Sequence, residues 1–166
     1  VFSSLDAGTL VLAPPATVHR PCSAPPTSGD DKIEVDLPNK QSAIGWLGHY
    51  DLNYNVAIVN ISHYPGFRAA HVDQHMRSVS ESKAVALGRC FKTGKLMESS
   101  GTVTDEFSGF YRKHLMISMC KISMVMTGGP LVDLDWNFIG MNLHTKERTA
   151  FLPMDKIYNF LVDSGV

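Results

Sequence analysis

Apolar and polar positions alternate through Ile33-Glu34-Val35-Asp36-Leu37, the period of a half-buried strand. Pro38-Asn39-Lys40 reads as a turn, and residues 42–49 return as its partner. Val56-Ala57-Ile58-Val59-Asn60-Ile61 is nearly all apolar and rich in β-branched residues, as a strand covered on both faces would be. Before these, Thr9 to Leu12 is a short apolar run stopped by Pro14-Pro15, and residues 21–31 have the Pro, Ser, Gly and Asp of an exposed loop. Residues 62–82 are polar and irregular. The β pattern then restarts at 83–89, 96–104 and 115–122. Segments 131–134 and 137–143 form a hairpin around Asp135-Trp136, and 149–152 adds a last strand. From Asp155 the period changes: Ile157, Phe160 and Leu161 fall at i, i+3 and i+4, which predicts a closing helix. Many short strands around a central linker predict an all-β protein of barrels or sandwiches. The expected division is 1–62, a linker at 63–82, and 83–166.

Composition narrows the classes. With 166 residues and 44% hydrophobic positions, the chain has material for a real core. A net charge of −1 without a Lys/Arg block lacks the basic footprint of a nucleic-acid binder. No apolar run reaches the roughly 18 residues of a membrane span, and residues 1–12 do not read as a secretory leader. Cys22, Cys90 and Cys120 are odd in number and form no CxxC pair, which favours free thiols in a reducing compartment. The expectation is therefore an intracellular protein of cytosol or nucleus, with an organelle after transit-peptide removal left open.

The segment Thr127-Gly128-Gly129-Pro130-Leu131-Val132, followed by Phe138-Ile139-Gly140, resembles the nucleophile region of trypsin-like serine proteases. In that family Ser directly precedes Gly-Gly-Pro; here Thr127 stands there. Asn55 before Val56-Ala57-Ile58 is similar to the segment that carries the family's catalytic Asp. Ala16-Thr17-Val18 is a weaker match to the stretch ending in the catalytic His, with Thr17 at the His position. The spacing of 127 − 55 = 72 residues suits the compact Deg branch, whose protease domain also ends like Phe151-Leu152-Pro153 running into a helix. The resemblance implies a double β-barrel with its first barrel truncated, since few residues precede Thr9. It also implies an oxyanion loop at Val125, Met126 and Thr127, and a peptide-binding edge at Gly140, Met141, Asn142 and Leu143.

Each catalytic requirement meets an obstacle in these residue types. Acyl transfer to a serine needs a base, an acid that orients it, and two N–H donors for the oxyanion. Thr127 keeps a hydroxyl, but its methyl restricts the rotamer. Threonine nucleophiles usually rely on a free terminal amine, and Thr127 is internal. Asn55 has no charge to stabilise an imidazolium, and Thr17 is no base. Val125 replaces the Gly that the family uses two residues before the nucleophile. The leading expectation is thus a pseudoprotease that binds a peptide or protein. One alternative is a hydrolase with a relocated triad, using Thr127 with His19 or His49 and perhaps Asp51. Another is a structural or decaying domain without activity of its own.

The remaining chemistry is sparse. His71 and His75 stand at i, i+4, but Val72 replaces the glutamate of the zinc-protease motif and no third ligand is in register, so no metal and no cofactor is expected. Arg112-Lys113-His114 reads as an exposed basic turn. Cys120 reads as core, and so does Cys90. Trp136 occupies a hairpin position that usually takes Gly or Asn, and is either a partner anchor or drift. Oligomerisation stays open.

Overall fold

The computed structural model describes residues 2–4, 8–13, 32–37, 41–54, 56–61, 72, 81–90, 93–107, 114–144 and 149–165. Thr17, His19, Cys22, Asn55, His71, His75, Arg112 and Lys113 lie outside these residues. Chain contacts separate two compact units, Val1–Ala70 and His71–Val166.

The first unit is an antiparallel sheet. Its strands are β1 (Phe2–Ser4), β2 (Gly8–Ala13), β3 (Lys32–Asp36), β4 (Ser42–Asp51) and β5 (Val56–Ile61), in the order β1-β2-β5-β4-β3. The β1–β2 hairpin supplies the strand pairing that the sequence reading did not place before Thr9. On one face, Ile33, Leu37, Val59 and Ile61 pack with Val35, Ala43 and Leu47. Strand β5 is buried at Val56, Ala57, Ile58, Val59 and Ile61 and open only at Asn60. Its unbroken apolar run therefore has cover on both faces. A bulge between Leu47 and Tyr50 reverses the facing of β4, so Trp46 pairs with Asn60 while Tyr50 pairs with Ala57.

The second unit is a closed barrel of β6 (Lys83–Arg89), β7 (Leu96–Phe107), β8 (Met116–Ser118), β9 (Pro130–Val132), β10 (Phe138–His144) and β11 (Thr149–Pro153). The strand order is β10-β11-β8-β7-β6-β9, and the β9–β10 pairing completes the ring. Ala84, Ala86, Val103, Cys120, Met126, Leu131, Ile139 and Phe151 fill the interior. Small side chains on β6 face Phe151 and Met126 within one cluster, the large-against-small filling that a narrow barrel needs.

Helix α1 (Met154–Asp163) follows Pro153, whose φ of −64° suits the residue before the first turn. Its buried face is Met154, Ile157 and Phe160; Leu161, expected there, is only half-buried. The strand expected at 115–122 ends at Ser118. Beyond it the Met119 N–H still donates to the Thr102 carbonyl at 2.8 Å, but Cys120 turns inward, with its Sγ 3.7 Å from the Ala84 carbonyl oxygen. That inward turn takes the chain out of the ladder and toward the loop before β9.

The β9–β10 turn carries local strain. Trp136 has φ +65°, a left-handed conformation that favours glycine. Asp133 holds it there. One carboxylate oxygen accepts the Asp135 N–H at 2.9 Å and the Asn137 N–H at 2.8 Å; the other accepts the Asn137 Nδ2 at 2.8 Å. The indole itself is 71% exposed, so it recovers little by packing. Trp136→Gly should therefore raise folding stability by about 1 kcal/mol, since relief of the left-handed penalty exceeds the entropy glycine adds to the unfolded chain. A urea titration checks this, and a lower midpoint in the variant would contradict it.

Candidate functional site: the loop before β9

Backbone hydrogen bonds build this loop and its seat. After Cys120 the chain makes a single 3-10 turn, Met124–Met126, preceded by Ser123 in extended conformation. Met126 is buried in the barrel interior, while Met124 is 77% exposed. The Thr127 N–H donates to the Met124 carbonyl at 3.1 Å, and the Gly129 N–H donates to the Met126 carbonyl at 3.1 Å. Gly128 then takes φ +81°, which a side chain would resist. Its N–H donates to the Asn142 carbonyl at 2.7 Å, and the Asn142 N–H returns to the Gly129 carbonyl at 2.9 Å. A Cβ on Gly129 would run into the Leu87 carbonyl oxygen of β6. The two glycines are thus separate requirements: one for handedness, one for close approach.

Asn142 clamps this loop a third time. It is fully buried, and its Nδ2 donates to the Pro130 carbonyl at 2.9 Å. Its buried Oδ1 has no hydrogen-bond partner among the described residues, an unusual state for a core acceptor. In sequence, the only available signal was a polar residue inside the apolar run Ile139-Gly140-Met141-Asn142-Leu143.

That clamp changes the reading of the expected peptide edge. Gly140 pairs with Leu131 on one side and Pro153 on the other, and Met141 pairs with Pro130 and Leu152. Asn142 pairs with Phe151 and bonds to Gly128 and Gly129. All three are buried with both backbone edges engaged, so they offer no edge to a new strand. Leu143, also buried, and His144 pair with β11 alone among the described residues. Any edge for an added strand starts there, one residue from the end of the expected segment.

Val125 and Met126, expected in the oxyanion loop, lie in the 3-10 turn, and Thr127 follows it. Val125 is half-buried against the barrel core, Met126 fully so, and Thr127 half-buried. An oxyanion site needs N–H groups aimed at empty space where charge will develop. The Thr127 N–H is instead directed to the Met124 carbonyl within the 3-10 turn.

Thr17, His19 and Asn55 are outside the described residues. His49 is exposed on β4. The Asp51 carboxylate accepts the backbone N–H groups of Asn53 at 2.6 Å and Tyr54 at 3.3 Å, so it caps the turn leading to position 55. Among the described residues no group of three His, Cys, Asp or Glu side chains is placed to hold a metal ion. No helix among them is long and apolar enough to cross a membrane. Burial pushes the Cys120 thiol above its ordinary range, consistent with a packing role, whereas Cys90 is half-buried.

Residues 11–141 match the family described as trypsin-like peptidase domain. The chain belongs to that family. The MamO protease domain from Magnetospirillum magneticum, in its apo form, superimposes with a TM-score of 0.72 at 16% identity, over 97% of this chain and 93% of that one. The serine endoprotease from Yersinia pestis gives 0.74 at 15% identity, over 99% of this chain but only 56% of that one. No curated protein matches in sequence. At these identities the neighbours establish the trypsin-like fold alone, and the chain spans little more than half of the Yersinia protein.

If the clamp is what seats the loop, Asn142→Ala should destabilise the trypsin-like domain by about 1–3 kcal/mol, by removing the hydrogen bond to the Pro130 carbonyl and leaving a void where the fully buried amide packs. Chemical denaturation measures this. A change below about 0.5 kcal/mol, the size of ordinary surface substitutions, would show that the loop seats itself without the side chain.

Proposed function

We propose that this trypsin-like domain binds peptide or protein segments without hydrolysing them. The observation that carries the proposal is the engaged Thr127 N–H, bonded to the Met124 carbonyl at 3.1 Å where a protease keeps a free donor. Removing one oxyanion donor from a working enzyme lowers turnover by about 10²–10³. The residue types add to this. Asn55 in place of the acid would lower turnover by about 10⁴, on the precedent of the same change in trypsin. With Thr17 in place of the base, nothing at the family positions takes the hydroxyl proton.

The barrel itself needs none of those groups. Its ring is closed by β9–β10 pairing and its core is apolar, so the scaffold can outlast the chemistry. Strand addition would use backbone donors and acceptors at Leu143 and His144, beyond the clamp. The relocated-triad alternative receives no support from Asp51, whose carboxylate is committed to its own turn.

The test is to incubate purified protein with a diverse peptide library and analyse captured and free peptides by mass spectrometry. Captured peptides should be intact, and the profile of free peptides should match that of Thr127→Ala. Thr127→Ser alone should not create cleavage. Products that appear with wild type and vanish in Thr127→Ala would overturn the proposal.

A further inference from the structure

On β3 and β4, the side turned away from the Ile33–Val59 core carries a small exposed cluster that no catalytic argument uses. Ile44 is 46% exposed and Trp46 43% exposed, both on β4 and both pointing away from the Ile33–Val59 core. The strand register sets Lys32 opposite Trp46 and Glu34 opposite Ile44. Lys32 and Glu34 are themselves exposed and lie on β3, the last strand of the sheet. Four side chains thus stand at the corners of a near-rectangle. The strands are about 4.8 Å apart, and same-face neighbours along a strand are about 6.7 Å apart. One long side is ionic, with a cation at one end and an anion at the other. The opposite side is apolar, with an indole at one end and a branched aliphatic chain at the other.

We infer that this face is a self-complementary contact at which a second copy of the chain docks face to face. The argument is one of symmetry. A two-fold axis lying in the contact plane and running across the strands, midway along the rectangle, leaves each strand over its own copy but reverses its direction. Lys32 then meets Glu34 of the second copy, Glu34 meets its Lys32, and Trp46 meets its Ile44 on both sides. A two-fold axis along the strands would instead put Lys32 over Trp46 and Glu34 over Ile44, burying a carboxylate against an aliphatic chain. The charges select one of these arrangements. Such isologous contacts are the commonest form of self-assembly.

Magnitudes make this a weak association. The four residues and their rim cover far less than the roughly 800 Å² per partner of a stable interface. Exposed ion pairs contribute little to affinity, so their role is orientation. The driving force is the burial of Trp46 and Ile44. A concentration-dependent dimer with a dissociation constant in the range of about 10 μM to 1 mM is the expected outcome.

Sedimentation velocity across that concentration range at low salt tests the inference, with all substitutions on exposed positions. Lys32→Glu alone and Glu34→Lys alone should each weaken dimerisation at least tenfold, because each sets like charges across the axis. The double variant Lys32→Glu/Glu34→Lys should recover it. Mixing the two single variants should also recover it, as a heterodimer with every pair opposed in sign. A chain that stays monomeric throughout would overturn the inference. So would a dimer indifferent to these reversals, or a mixture no better than its two components.

Discussion

The second unit depends on the way strand β10 grips the loop before β9. Through Asn142 it makes three hydrogen bonds to Gly128, Gly129 and Pro130. These bonds do two things together. They fix the left-handed turn at Gly128, and they deliver Pro130 into register so that β9 can bridge β6 and β10. Without β9 the barrel would have two open edges, each a row of unpaired backbone groups. The Gly-Gly-Pro segment is therefore a closure element of the barrel first, and a place for a nucleophile only second.

On the proposed reading, that order lets the fold persist without the chemistry. Closure requires two glycines, a proline that begins the strand, and a buried amide on β10; all are present. Catalysis requires in addition a loop whose N–H groups stay free, and the 3-10 turn at Met124–Met126 uses the Thr127 N–H internally. Val125 is packed against the core instead of lying open, which holds the turn in this form. Val125, packed on the core, stands where the resemblance implies a glycine.

Much of this architecture could be read from the sequence because it rests on local periodicity. The double burial of β5 follows from its nearly all-apolar run rich in β-branched residues, and the helix from the spacing of Ile157 and Phe160. What could not be read depends on contacts distant in sequence. The pairing of Phe2–Ser4 with β2 involves too few residues to leave a pattern. The early end of β8 reflects Cys120 turning into the core beside Ala84, which no run of apolar residues reveals. The engagement of Gly140, Met141 and Asn142 on both sides was invisible for the same reason: alternation shows that a strand exists, but not how many neighbours it has. Trp136 was legible as an anomaly, and the cage of hydrogen bonds from Asp133 supplies its physical cause.

The claim that Thr127 sits in a loop closed to catalysis is most directly tested with an active-site-directed fluorophosphonate, on wild type and Thr127→Ala shown to be folded by circular dichroism. The reagent reports an activated hydroxyl beside working oxyanion donors, independently of any peptide preference. The account predicts the same background labelling for both proteins. Labelling of wild type that is lost in Thr127→Ala would contradict it, and would mean that the Thr127 N–H leaves Met124 readily enough for an activated nucleophile to survive.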